Sequence, residues 1–76
     1  MPRVNTMKDE VLENTIKLNR ARLQLTQEQL AERIGVTRKT INTIENGKFI
    51  PSTILAIKLA KVFGITVEEL FILHED

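Results

Sequence analysis

Apolar residues recur at helical spacing through the middle of the chain, and polar punctuation divides that pattern into two short pieces. In QEQLAERIGVTRKTINTIEN, from Gln27 to Asn46, Leu30, Ala31 and Ile34 fall on one helical face, and Ile41 and Ile44 are the inward residues of the second piece. Thr26 stands where an N-cap belongs and Gln29 comes three residues later. In that arrangement each side chain satisfies a free N–H beside the other. Gly35 falls where the first piece must stop and turn, a position that favours positive φ and hence no Cβ. Val36 packs into the turn, Thr37 can cap the second piece, and Gly47 offers its C-terminal stop. Ala31 is small enough to let the two helices approach closely. This is helix-turn-helix spacing.

The flanks read as further helices. A first helix is expected over about Asn14 to Leu23, its apolar spacing begun by Ile16 and carried toward the turn by Ala21, Leu23 and Leu25. After Gly47 the stretch KFIPS is a loop, because Pro51 disfavours helix at Ile50 and Ser52 can cap the next helix. That fourth helix, about Thr53 to Phe63, carries Leu55, Leu59, Val62 and Phe63 as one stripe, widened by Ile54, Ile57 and Ala60, with Lys58 and Lys61 outward. Gly64 ends it, and Thr66 with Glu69 repeats the capping pattern for a short fifth helix bearing Val67, Leu70 and Phe71. Phe71 to His74 fits either a last helical turn or a brief strand. Residues 1–13 read as a loose or docked N-terminal arm, although Thr6 with Asp9 can start a helix and a short strand pairing with the C-terminus is a further alternative. The expected fold is all-α, five helices around a small core, with a possible short terminal strand.

Composition narrows the class. Seventy-six residues make one domain near the lower limit for an unstapled core. There is no cysteine, so no disulfide framework and no thiolate metal site. No apolar run approaches the roughly 20 residues of a membrane span, and no secretory segment is visible. A soluble, cytoplasmic chain is expected. A net charge of +1 says little, but its distribution says more. Between Lys17 and Lys48 seven Lys and Arg stand against three Glu, whereas from Val62 onward there are four acids and no Lys or Arg. One end can face phosphate while the other avoids it.

The pattern LTQEQLAERIGVTRKTINTIENGKFIPS…AIKLAKVFGITVEEL resembles the phage-repressor and Cro-like helix-turn-helix family, also called the XRE type, over roughly Asn14 to Leu73. The run from Gln27 to Gly47 together with Pro51-Ser52 carries the likeness. One departure is Asn19, where such proteins more often have Leu, with Leu18 a candidate to compensate. The resemblance implies a five-helix DNA-binding domain over residues 14–76, with its motif at 27–46. It also implies that Gln27, Asn46 and Lys48 touch the DNA backbone and that Glu45 pairs with Arg20.

A helical wheel with Ile41 and Ile44 inward turns Lys39, Asn42, Thr43 and Asn46 to the opposite face, with Arg38 on the flank. All five side chains donate hydrogen bonds. Arg and Lys can meet guanine O6 and N7, Asn can pair with adenine N6 and N7, and Thr can bond or touch a thymine methyl. Arg38, Lys39, Asn42 and Thr43 are therefore the candidate base readers. Val67, Leu70, Phe71, Ile72 and Leu73, helped by Ile54 and Ile57, offer an apolar surface for a homodimer, or else belong to the monomer core. Catalysis finds no constellation: His74 is the one histidine, Glu68 and Glu69 are helix-start acids, and no metal site, cofactor or small-molecule ligand is implied. The reading is a sequence-specific double-stranded DNA-binding transcriptional regulator, a homodimeric repressor on a palindromic operator. An antitoxin- or controller-type DNA-binding protein, or a protein-interaction module without DNA, are the alternatives.

Overall fold

The computed structural model describes residues 11–75. Its elements run β1 (Val11–Asn14), α1 (Ile16–Leu23), α2 (Gln27–Ile34), α3 (Arg38–Glu45), α4 (Thr53–Phe63), α5 (Val67–Leu70) and β2 (Phe71–His74). The helix starts sit where polar caps put them. Thr26 Oγ1 accepts the Gln29 N–H at 3.0 Å while Gln29 Oε1 accepts the Thr26 N–H at 2.9 Å. Thr66 and Glu69 repeat this reciprocal pair at 3.1 and 2.9 Å, and Ser52 caps α4 through the Leu55 N–H at 3.2 Å. At Gly35 the backbone is left-handed, φ 77°, with open space around an added Cβ. Glycine is needed there for its conformation and not for room.

The core lies between α2, α3 and α4. Leu30, Ile41, Ile44 and Leu59 are fully or almost fully buried, and Ile16 and Leu70 close its ends. Burying one such side chain contributes about 1.5–3 kcal/mol, so these few aliphatics dominate the fold.

The two strands pair antiparallel, Leu12 opposite Leu73 and Asn14 opposite Phe71. Of the readings for the N-terminal segment, the short strand is the one adopted at Val11–Asn14, and Phe71–His74 is a strand and not a helical turn. The Thr6–Asp9 helix start lies outside the described residues.

The first helix departs from expectation. It begins at Ile16, and its inward residues are Ile16 and Asn19, while Ala21 is exposed and Leu18 is 70% exposed. Leu18 does not compensate for Asn19. Asn19, 8% exposed, is satisfied instead. Its Nδ2 donates to Thr15 O at 2.9 Å, and its Oδ1 accepts from Arg22 Nη2 at 3.1 Å. Arg22 Nη2 also reaches Phe63 O at 2.8 Å, tying α1 to the end of α4. The helix closes at Gln24 in a left-handed conformation, φ 57°, without a glycine. In α4, Leu59, Ala60 and Phe63 face the core, but Ile54 is 69% exposed and does not widen that stripe. No helix among the described residues is long and apolar enough to cross a membrane.

Candidate nucleic-acid interface

The α2–α3 pair presents one helix to solvent along its full length. Ile41 and Ile44 anchor α3 on the core, and Thr37 Oγ1 caps it through the Thr40 N–H at 3.2 Å. The opposite face carries Arg38, Lys39, Asn42 and Asn46, all exposed, with Thr43 half-buried beside them. The first turn of α3 contains two cations and no acid. Cations there oppose the positive end of the helix dipole and cost a few tenths of a kcal/mol to about 1 kcal/mol each. A surface evolved only for solubility has no reason to accept that cost, whereas an anion in front of this end removes it. Lys48 comes next in the exposed loop, its backbone N–H bonded to Thr43 O at 2.9 Å.

Not every donor on this face is free. The Thr43 hydroxyl turns back on its own helix, 3.1 Å from Lys39 O and 2.9 Å from Thr40 O, which leaves an acceptor oxygen and a methyl. Gln27 Nε2 donates to Asn42 Oδ1 at 3.2 Å and to Glu45 Oε1 at 3.1 Å. Asn46 Nδ2 donates to the same Asn42 Oδ1 at 3.3 Å. Both Gln27 amide hydrogens are thereby used inside the protein, so a phosphate at this end would meet the Gln27 backbone N–H.

Beneath this face Arg20 and Glu45 meet. Nε lies 2.5 Å from Oε2 and Nη2 lies 3.2 Å from Oε1, while Nη1 donates to Leu25 O at 2.9 Å. The side chains are 15% and 6% exposed. The acid at the end of α3 is therefore paired inside the protein and not presented on the outward face.

Asn14, absent from the candidate residues above, joins three elements. Its Oδ1 accepts the Ile16 N–H at 3.1 Å, and its Nδ2 donates to Ile44 O at 3.0 Å and Glu45 O at 3.4 Å. One side chain thus caps the start of α1 and the end of α3. An Asn placed two residues ahead of the first apolar helical position was the only cue, and it pointed to the first of those roles alone.

A family model described as helix-turn-helix matches residues 16–70. The chain belongs to the helix-turn-helix family of the XRE type. An uncharacterized HTH-type transcriptional regulator of Methanocaldococcus jannaschii is 49% identical over 65 residues, covering 86% of this chain and 98% of that protein. Another, YgzD of Bacillus subtilis, is 43% identical over 65 residues, with the same coverage of 86% and 98%. Among solved structures, that of a candidate DNA-binding protein from Bacteroides fragilis superposes with a TM-score of 0.72 at 30% identity, over 80% of this chain and 98% of that one.

In this helix-turn-helix protein the expected dimer residues do not form one patch. Leu70 is 0% exposed and belongs to the core, because α5 turns it beneath α4. Val67 and Phe71 are half-buried against that core. Leu73 is exposed on the same sheet face as Phe71, while Ile72 alternates to the other face. What remains together is a groove of about 340 Å³ lined by Leu12, Ile50, Pro51, Ile57, Val67 and Phe71. His74 Nε2 meets Glu13 Oε1 at 2.6 Å across the strands, in solvent. Among the described residues no cluster of His, Cys, Asp or Glu could hold a metal ion.

Proposed function

We propose that this chain is a sequence-specific double-stranded DNA-binding transcriptional regulator, a repressor that occupies a palindromic operator as a homodimer. The observation that carries the reading is the outward face of α3. Two cations lie at its positive end, donor and acceptor groups line its length, and the one acid at its far end is neutralised by Arg20. Such a face suits a major groove, where side chains meet base edges, while Asn46 and Lys48 grip phosphate at one end and the first turn of α2 at the other. The regulators of M. jannaschii and B. subtilis, matched over nearly their whole length, support it.

Homodimerisation is supported by the need for it and by surface. One helix reads only a few base pairs, and two-fold pairing doubles the contacts on a palindrome with half-sites about 34 Å apart. Ile54 and Ile57 of α4 and Leu73 of β2 are exposed apolar residues outside α3, and Leu73 belongs to the acid-rich segment that follows Val62.

The test is selection of bound duplexes from a random pool, then titration at several salt concentrations. An enriched inverted repeat, with affinity falling steeply as salt rises, is the expected result. Absence of enrichment with weak salt dependence would favour a protein-interaction module instead.

A further inference from the structure

We propose that Asn42 reads guanine as a hydrogen-bond donor only, and that Gln27 is the positioning residue that imposes this polarity; the inference rests on α3 being the DNA-reading helix. The polarity arises from a chain of groups with no freedom at its origin. The Arg20 guanidinium can only donate, and the Glu45 carboxylate can only accept. Gln27 approaches Glu45 Oε1 at 3.1 Å and must therefore offer its NH2 there and not its carbonyl. The second hydrogen of that NH2 points at Asn42, 3.2 Å away, so Asn42 must present Oδ1 in return. Asn46 Nδ2, at 3.3 Å, takes the other lone pair of the same oxygen. The Asn42 Nδ2 group and its two hydrogens are left facing outward from an exposed position on the helix.

An asparagine with both partners free reads adenine, accepting from N6 and donating to N7. Asn42 lacks the acceptor. To accept from N6 its oxygen would have to release Gln27 or Asn46. Guanine shows two acceptors, O6 and N7, and no donor in the major groove, so it matches a bare NH2 group. Thymine offers one acceptor, O4. Cytosine opposes Asn42 with its N4 donor. The expected order is guanine first and cytosine last.

The chain also separates two roles for Gln27. A phosphate-binding side chain would contribute equally on every duplex, while a positioning one acts through Asn42 on a single base. The experiment starts from the selected duplex and finds the position whose preference disappears in Asn42→Ala. Wild-type protein is then titrated with duplexes carrying guanine, adenine or 7-deazaguanine there. Guanine is expected to bind roughly 5- to 150-fold tighter than adenine, with a loss of several-fold on 7-deazaguanine. In Gln27→Ala the Asn42 oxygen keeps Asn46 alone and has one lone pair free to accept from adenine N6, so the guanine-to-adenine ratio is expected to fall to about twofold or less. Preferences elsewhere and the salt slope are expected to stay. Wild-type preference for adenine at that position overturns the proposal without any variant at residue 27. Equal loss on all duplexes in Gln27→Ala, with the guanine-to-adenine ratio at that position unchanged, overturns it as a phosphate contact; a neutral side chain leaves the salt slope as it was in either case. A wild-type protein that prefers no duplex overturns the DNA-reading function itself, a result distinct from both.

Discussion

Removal of Arg20 is expected to be far more damaging than its place on a short surface helix suggests. Glu45 is 6% exposed, and its carboxylate is held by Arg20 at 2.5 and 3.2 Å and by Gln27 at 3.1 Å. In Arg20→Ala the carboxylate keeps only the Gln27 amide, and Leu25 O loses the 2.9 Å bond from Nη1. An ion pair this enclosed costs about 3–5 kcal/mol when one partner is lost, because a desolvated charge is left behind. A domain of this length has a total stability of only about 4–11 kcal/mol, so roughly half is at stake. At about 4–8 °C per kcal/mol the melting temperature is expected to fall by more than about 12 °C. Glu45→Ala is expected to cost somewhat less, since Arg20 at 15% exposure retains Leu25 O and some water. The decisive comparison is the double variant Arg20→Met/Glu45→Met, which removes both charges and keeps apolar volume. Urea unfolding of wild type, both alanine single variants, the double alanine variant and the double methionine variant gives the numbers. The double alanine loss is expected to fall short of the sum of the singles by more than about 1 kcal/mol, and the methionine pair to recover much of the remainder. Additivity within about 0.5 kcal/mol would show that the two side chains do not stabilise each other, and the reasoning would fail.

Asn19→Ala is expected to cost about 1–3 kcal/mol in urea, by stranding Arg22 and Thr15, whereas Leu18→Ala is expected to stay within about 0.5 kcal/mol; the reverse order would refute the assignment of the inward face of α1. Asn14→Ala removes the caps of α1 and α3 together and is expected to cost about 1–2 kcal/mol while speeding amide exchange at the C-terminal turn of α3, and unchanged exchange there would deny the link. Sedimentation of wild type at micromolar concentration is expected to give a dimer that Leu73→Asp or Ile57→Asp converts to monomer, and a monomeric wild type would remove the proposed homodimer.

Where the sequence could be read, the cause was local. Thr26 with Gln29, Thr66 with Glu69, and Gly35 at φ 77° each act within a few residues, so the starts of α2 and α5 and the turn between α2 and α3 are written in short segments. The first helix was harder because its pattern misleads. In IKLNRARL the apolar Leu18 and Ala21 point outward, while Asn19 takes an inward place on the strength of partners at Thr15 and Arg22. Apolar periodicity does not register a buried residue held by hydrogen bonds. The sheet pairs four-residue strands from opposite ends of the chain, with Leu12 against Leu73, and no neighbouring residue announces that pairing. The outward residues of α3 were legible from helical phase alone. Which of their polar atoms remain available was not, because the Thr43 hydroxyl and the Asn42 oxygen are committed by geometry.

The central claim, that α3 reads sequence, is tested most directly by competition between the selected duplex and its single-base variants. Wild type and Lys39→Ala, Asn42→Ala, Thr43→Ala and Lys48→Ala are compared at several salt concentrations. Each of the first three substitutions is expected to cost about 1–3 kcal/mol on the preferred duplex and to relax preference at one position. Lys48→Ala is expected to weaken all duplexes about equally and to reduce the salt slope by about one. Uniform losses with unchanged base preference for Lys39, Asn42 and Thr43 would contradict the claim.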